Sequence, residues 1–210
     1  RYGILLILDE VMCGSGRCGT FFAFEAEGIT PDIVTIAKGL GAGYQPIGAV
    51  LCTEALYQTI VNASGAFQHG HTYIGHPAAA AAANAVMNRL IDDDVLGRVT
   101  PAGEALQAAL TDRLGQHPHI GDIRGRGLFR GVELVADRDT KTPFDPARKL
   151  HAKVKAAALE EGLVCYPMGG TADGKAGDHV LLAPPYIISE DEIGMLADRL
   201  SAAIDRALDA

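Results

Sequence analysis

Two short apolar runs, residues 4–8 and 32–37, each give way to a charged side chain and then to a glycine-containing stretch. Unbroken apolar runs of this length, without alternation, suit strands buried on both faces of a parallel sheet. A third run, residues 47–52, leads into a helix expected over 53–61. The first third of the chain therefore reads as α/β material. In open α/β sheets the ligand-binding groups gather at the carboxyl ends of strands. Asp9 and Lys38 both stand at such ends.

Further along, residues 77–90 form an alanine-dense helix with Pro77 suited to its first turn. Its small side chains lead us to expect deep packing. A second helix is expected over 96–114. After His117-Pro118 the texture changes to strand candidates at 120–123, 128–135, 163–166 and 180–183. Between them lies a helix over 146–161, stopped by Gly162. The last helix opens on a capping box, Ser189 with Glu192, and Ile193, Leu196, Leu200, Ile204 and Leu208 mark one face of it. The expected organisation is an α/β domain over 1–114, built on a mostly parallel sheet, and a small α+β domain over 115–210.

The chain is 48% hydrophobic and 21% charged, as expected of a globular protein with a sizeable core. A net charge of −8 argues against nucleic acid or an anionic membrane as partner. No run of apolar residues is long enough for a membrane span. Cys13, Cys18, Cys52 and Cys165 are too scattered for a disulfide framework and read as reduced thiols of a cytoplasmic enzyme. His69, His71 and His76 have no carboxylate or cysteine at ligand spacing, so no metal is expected. Two glycine-rich stretches are decoys. Residues 39–43 lack dinucleotide-fingerprint spacing, and 169–177 lack the Gly-Lys-Ser/Thr run of a phosphate loop. We read the latter as a flexible loop near a substrate entrance. The opening Arg1-Tyr2-Gly3 runs straight into apolar sequence, which suggests a piece of a longer protein.

Taken singly, an aspartate after a buried strand is usually structural, and a lysine after another is usually a surface charge. Taken together, they match the needs of a pyridine cofactor. A lysine that forms a Schiff base needs a desolvated amine of lowered pKa. An acid beside the ring nitrogen keeps it protonated, so that the ring can accept electrons.

Several ordered motifs sharpen this. They are Asp9-Glu10-Val11, Gly16-Arg17-x-Gly19, Pro31-Asp32, Ala37-Lys38-Gly39-Leu40, His71-Thr72-Tyr73-x-Gly75-His76-Pro77, Arg124-Gly125-x-Gly127-Leu128 and Ala183-Pro184-Pro185. Together they resemble the class III, fold type I aminotransferases over nearly the whole chain. The resemblance implies pyridoxal 5'-phosphate as cofactor, with Lys38 carrying it as a Schiff base and shuttling the proton. It implies that Asp9 pairs with the pyridinium nitrogen and Val11 packs on the ring. Thr72 would bind the cofactor phosphate from the neighbouring subunit, which makes a homodimer with shared active sites. Val11 can equally be plain core, and Thr72 can equally cap the following helix.

Two positions depart from that family's habits. Members that bind an α-carboxylate usually place an arginine where this chain has Leu181, and the ω-amine branch tends to place one where it has Tyr166. Arg124, Arg126 and Lys175 are candidate replacements, with Arg124 also readable as a structural ion pair and the other two as solvated charges. We expect Arg124 and Tyr166 to meet the substrate. Met12-Cys13-Gly14 resembles the ω-amine and β-alanine:pyruvate branch, so the expected reaction moves an amino group from an amine or ω-amino acid to a keto acid such as pyruvate. The family's phosphate loop and ring-stacking aromatic lie upstream of this segment, so the 210 residues alone are expected not to turn over. An aminomutase or decarboxylase on the same scaffold, or a truncated non-catalytic fragment, are the alternatives.

Overall fold

The computed structural model describes residues 2–209; Arg1 and Ala210, the outermost residues of the two expected domains, lie outside the described residues. The chain forms two compact units, Arg1–Leu96 and Gly97–Ala210.

In the first unit, β1 (Ile7–Asp9), β2 (Ile33–Ile36) and β3 (Ala49–Cys52) form a sheet in the order β1-β2-β3. β1 and β2 run parallel, and β2 and β3 antiparallel. Helices α1 (Glu54–Ser64) and α2 (Pro77–Asp92) follow. The first apolar run is not the buried strand expected of it. Only its end is a strand, and Ile4 and Ile7 are 83% and 59% exposed. β1 is an edge strand with a single neighbour, and nothing among the described residues buries the apolar side chains of Ile4, Leu5, Leu6 and Ile7. Val34 and Ile36 on the central strand are buried.

α2 also differs from expectation. Pro77 sits in its first turn, but Ala79, Ala83 and Leu90 are its only buried residues. One narrow stripe is packed, while Ala78, Ala80, Ala81 and Ala85 are exposed. His76 is the residue that caps it, accepting the amide of Ala79 on Nδ1 at 3.3 Å.

The second unit begins before the expected boundary at 114/115, because α3 (Val95–Leu114) supplies Val99, Leu106, Leu110 and Leu114 to its core. Truncating any of these leucines to alanine costs about 2–5 kcal/mol. The remaining elements are β4 (Ile120–Arg126), β5 (Phe129–Leu134), α4 (Leu150–Glu160), β6 (Tyr166–Gly169), β7 (Asp178–Leu182) and α5 (Glu190–Asp209). The sheet runs β4-β5-β7-β6 and is antiparallel throughout. Burial alternates along β5 and β7, so one face packs on the helices and the other is open.

The helix expected from residue 146 starts later. Pro146–Arg148 is a 3-10 turn, and Lys149 at φ 48° breaks it from α4. The strand expected at 163–166 begins where that range ends. The capping box of α5 is formed in both directions: Ser189 N donates to Glu192 Oε2 at 2.8 Å, and Glu192 N donates to Ser189 Oγ at 3.3 Å. α3 closes tightly on the β4–β5 turn. A Cβ on Gly103 would run into the carbonyl of Gly127. Nearby, the buried Arg130 donates to the carbonyls of Gly103 and Gly125 at 2.9 and 2.7 Å.

Candidate active site

The parallel pairing of β1 with β2 sets the site's register. Asp9 is the partner of Thr35, and Lys38 follows three residues beyond Thr35. Acid and lysine therefore leave the carboxyl ends of neighbouring parallel strands.

The chain after Asp9 folds back at once. Val11 N donates to Asp9 Oδ1 at 3.0 Å, and Thr35 Oγ1 donates to the same oxygen at 3.2 Å. Oδ2 accepts no hydrogen bond among the described residues. Glu10 turns the other way and is 3% exposed. Its two oxygens accept the amides of Ala23 and Phe24 at 2.7 and 2.8 Å, which ties down the loop between β1 and the short 3-10 turn at Ala23–Glu27. Gly14 is required here, because a Cβ would meet the Glu10 carbonyl oxygen at 2.7 Å. The thiol of Cys13 is pushed above its ordinary value, first by burial and then by the charge of Glu10. Asp32 is structural: its Oδ2 accepts the amide of Leu6 at 2.8 Å and pins β1 to β2.

Lys38 opens a 3-10 turn, Lys38–Gly41, with φ 43°. For a residue with a Cβ this conformation costs about 1–3 kcal/mol and is concentrated at functional sites. Its amine is exposed and has no hydrogen bond or ion pair among the described residues. The structure thus offers a carboxylate with one oxygen fixed and one open, and an uncommitted amine on the adjacent strand end.

The other expected site residues are spread more widely. Val11 is half-buried in the turn after β1. Thr72 lies in the exposed loop before α2 and does not cap that helix, since His76 does. Arg124 and Tyr166 belong to the second unit, where the sheet brings them into line. Arg124 pairs with Gly131, Gly131 with Leu181, and Leu181 with Tyr166. These four positions form one row on the open face of the sheet, and Gly131 leaves a gap in it. Arg124 Nη1 donates to Asp122 at 3.0 Å and to Glu133 at 2.7 Å, and the Glu133 bond in particular holds the guanidinium charged. On the same face, His179 is held below its ordinary pKa by burial and then by the charge of Arg124. Lys175 N donates to Asp173 Oδ1, within the glycine-rich loop, at 2.9 Å.

The aminotransferase class-III family model matches residues 1–204. The chain belongs to the class III aminotransferases. An aminotransferase of Gibberella zeae is 45% identical over 209 residues, covering 99% of this chain and 41% of its own length. The adenosylmethionine-8-amino-7-oxononanoate aminotransferase of Nitratidesulfovibrio vulgaris is 38% identical, covering 97% of this chain and 36% of its own length. Among solved structures, an (S)-enantioselective omega-transaminase from Thermomicrobium roseum superposes with a TM-score of 0.88 at 38% identity, covering 99% of this chain and 44% of that one. This aminotransferase chain therefore spans less than half the length of these relatives. The mixed α/β class expected from the sequence is the class these neighbours share.

Class III aminotransferases are generally pyridoxal-phosphate-dependent, and the residues present here fit that group. A pyridinium nitrogen needs an open carboxylate oxygen and a carbonyl carbon needs a free amine; Asp9 Oδ2 and Lys38 Nζ have those properties, although Lys38 is exposed in this chain rather than in the desolvated setting expected of it. Two residues of this neighbourhood receive no role from the sequence alone. Glu10 sits beside Asp9 in the motif, where it passes for a second acid. Thr35 reads as an ordinary strand residue. The signal that would have found Thr35 is its place in the alternation of β2, which becomes meaningful once the strand register is known.

Proposed function

We propose that this chain carries the acid and the lysine of a pyridoxal-phosphate-dependent transaminase that moves an amino group from an amine or ω-amino acid to a keto acid such as pyruvate. The observation that carries the reading is Asp9, fixed through Oδ1 with Oδ2 open, one strand away from an uncommitted Lys38. Bound at this site, the cofactor would supply an electron sink for the substrate carbanion. Lys38 would hold it covalently and then carry the proton on Nζ. Asp9 would hold the ring nitrogen protonated, and Val11 would pack on the ring.

Thr72, exposed and without a hydrogen bond among the described residues, would reach the cofactor phosphate of a partner subunit, in a homodimer with shared sites. The first unit would form the C-terminal part of the cofactor-binding domain, and the second the small domain, with the boundary near residue 97 instead of 114/115. Tyr166 and Arg124 would meet the substrate. Two carboxylates already engage Arg124, so a substrate carboxylate there would compete with Glu133. The likeness to an omega-transaminase supports the amine preference. The four free thiols suit a cytoplasmic setting.

The test uses the full-length protein loaded with pyridoxal phosphate. β-Alanine, an aromatic amine and an α-amino acid are added separately, without an acceptor, while the visible absorbance of the cofactor is followed. Loss of the band with β-alanine or the amine is expected. A band that persists with every donor sinks the transaminase reading and favours an aminomutase or decarboxylase. The 210 residues alone would not turn over, and an active, cofactor-replete preparation of them would overturn that.

A further inference from the structure

Among the described residues, one side chain donates a hydrogen bond to the Asp9 carboxylate, that of Thr35. The other donor to it, Val11 N–H, is backbone and comes from the turn that Asp9 itself begins. The two contacts have different weights. At 3.0 Å the amide bond has the ordinary N–H···O length and anchors Oδ1. At 3.2 Å the hydroxyl bond exceeds the usual O–H···O length of about 2.7–2.8 Å, so it anchors less and orients more. One donor leaves a carboxylate free to swing about the bonded oxygen; a second donor from another direction fixes its plane. With Oδ1 held at two points, Oδ2 is presented in a single direction.

Threonine is suited to this task. Its β-branch restricts χ1, so little rotamer freedom is lost in aiming the hydroxyl, and it fits a strand. Thr35 also stands on the strand that leads to Lys38, opposite Asp9 in the register. A single residue of β2 thus links the direction of the acid to the strand that delivers the lysine.

We propose that Thr35 is a positioning residue, whose hydroxyl orients the Asp9 carboxylate so that Oδ2 meets the pyridine nitrogen of the cofactor. This rests on the reading of Asp9 as the cofactor's acid. It predicts that the hydroxyl, and not the bulk of Thr35, governs how the cofactor is held.

The experiment compares the full-length protein with Thr35→Val, which keeps shape and strand preference, and Thr35→Ser, which keeps the hydroxyl. Three readouts are taken: the dissociation constant for pyridoxal phosphate, the pH titration of the bound cofactor's visible band, and the thermal midpoint without cofactor. Thr35→Val is expected to weaken cofactor binding about tenfold, the scale of one hydrogen bond to a charged group. It should also shift the pH midpoint of the band while leaving the cofactor-free thermal midpoint in place. Thr35→Ser is expected to restore both affinity and band to within about twofold of the parent, since its hydroxyl can still donate. A Thr35→Val protein with unchanged affinity and band overturns the inference, as does a Thr35→Ser protein that fails as Thr35→Val does. If the unsubstituted protein binds no pyridoxal phosphate, or if Lys38→Ala retains the visible band, the proposed function falls and the role of Thr35 falls with it. A normal parent with an indifferent Thr35→Val removes the role of Thr35 alone.

Discussion

His151 and Asp178 meet at 2.7 Å between Nδ1 and Oδ1, and the same carboxylate oxygen accepts the backbone amide of His151 at 3.1 Å. Asp178 is 5% exposed, and the contact joins the first turn of α4 to the start of β7. The imidazole also fills the space above Gly169, where a Cβ would meet it at 2.7 Å.

Replacing Asp178 with alanine removes a buried carboxylate and leaves the half-buried amide and ring nitrogen of His151 without their partner. We expect a loss of about 1–3 kcal/mol in unfolding free energy, read as a lower urea midpoint. An unchanged midpoint would show that the pair is ornamental.

Glu10 is expected to govern the order of the loop after β1. Glu10→Ala frees the amides of Ala23 and Phe24, and hydrogen exchange at those two positions should accelerate while that of β5 and β7 does not. Equal protection in parent and variant would refute this.

Cys165 and Cys52 should differ in reactivity. Burial pushes the Cys165 thiol up to about 11, so at neutral pH it is protonated and a poor nucleophile. Cys52 is exposed. In the native protein, iodoacetamide followed by peptide mass spectrometry should label Cys52 well before Cys165. Faster labelling of Cys165 would contradict its placement.

His179 gives stability a pH dependence of definite sign. Its folded pKa lies below the ordinary value, through burial and the charge of Arg124, with Glu133 and Asp178 acting the other way. The unfolded chain therefore takes up a proton near pH 6.5 that the folded chain still refuses. This contribution is intact above about pH 6.5 and is lost as the pH falls through the lower folded value. Urea titrations between about pH 5 and 7 should show a slope that flattens in His179→Gln; an identical slope would assign the dependence elsewhere.

Much of the second unit could be read directly from the sequence, because its signals are local. The capping box of Ser189 and Glu192, the apolar stripe of α5 and the stop at Gly162 depend on neighbours a few residues away. The first unit was read less well. Whether residues 4–8 are buried depends on which layer covers them, and their own composition is silent on that. Lys149 illustrates a different failure: nothing in its residue type announces a left-handed break between Pro146–Arg148 and α4. At the candidate site, Asp9 and Lys38 were visible because charged groups at strand ends stand out. Thr35 was not, because its meaning lies in a cross-strand register.

Ile4, Leu5, Leu6 and Ile7 stand exposed beside an edge strand that has one free side. An apolar sheet edge with unpaired backbone groups is a template for other strands. Concentrated by itself, this polypeptide should recruit its own copies edge to edge and come out of solution, its net charge of −8 notwithstanding. Placing a lysine at Ile4 or Leu5 would interrupt that recruitment without touching Asp9 or Lys38.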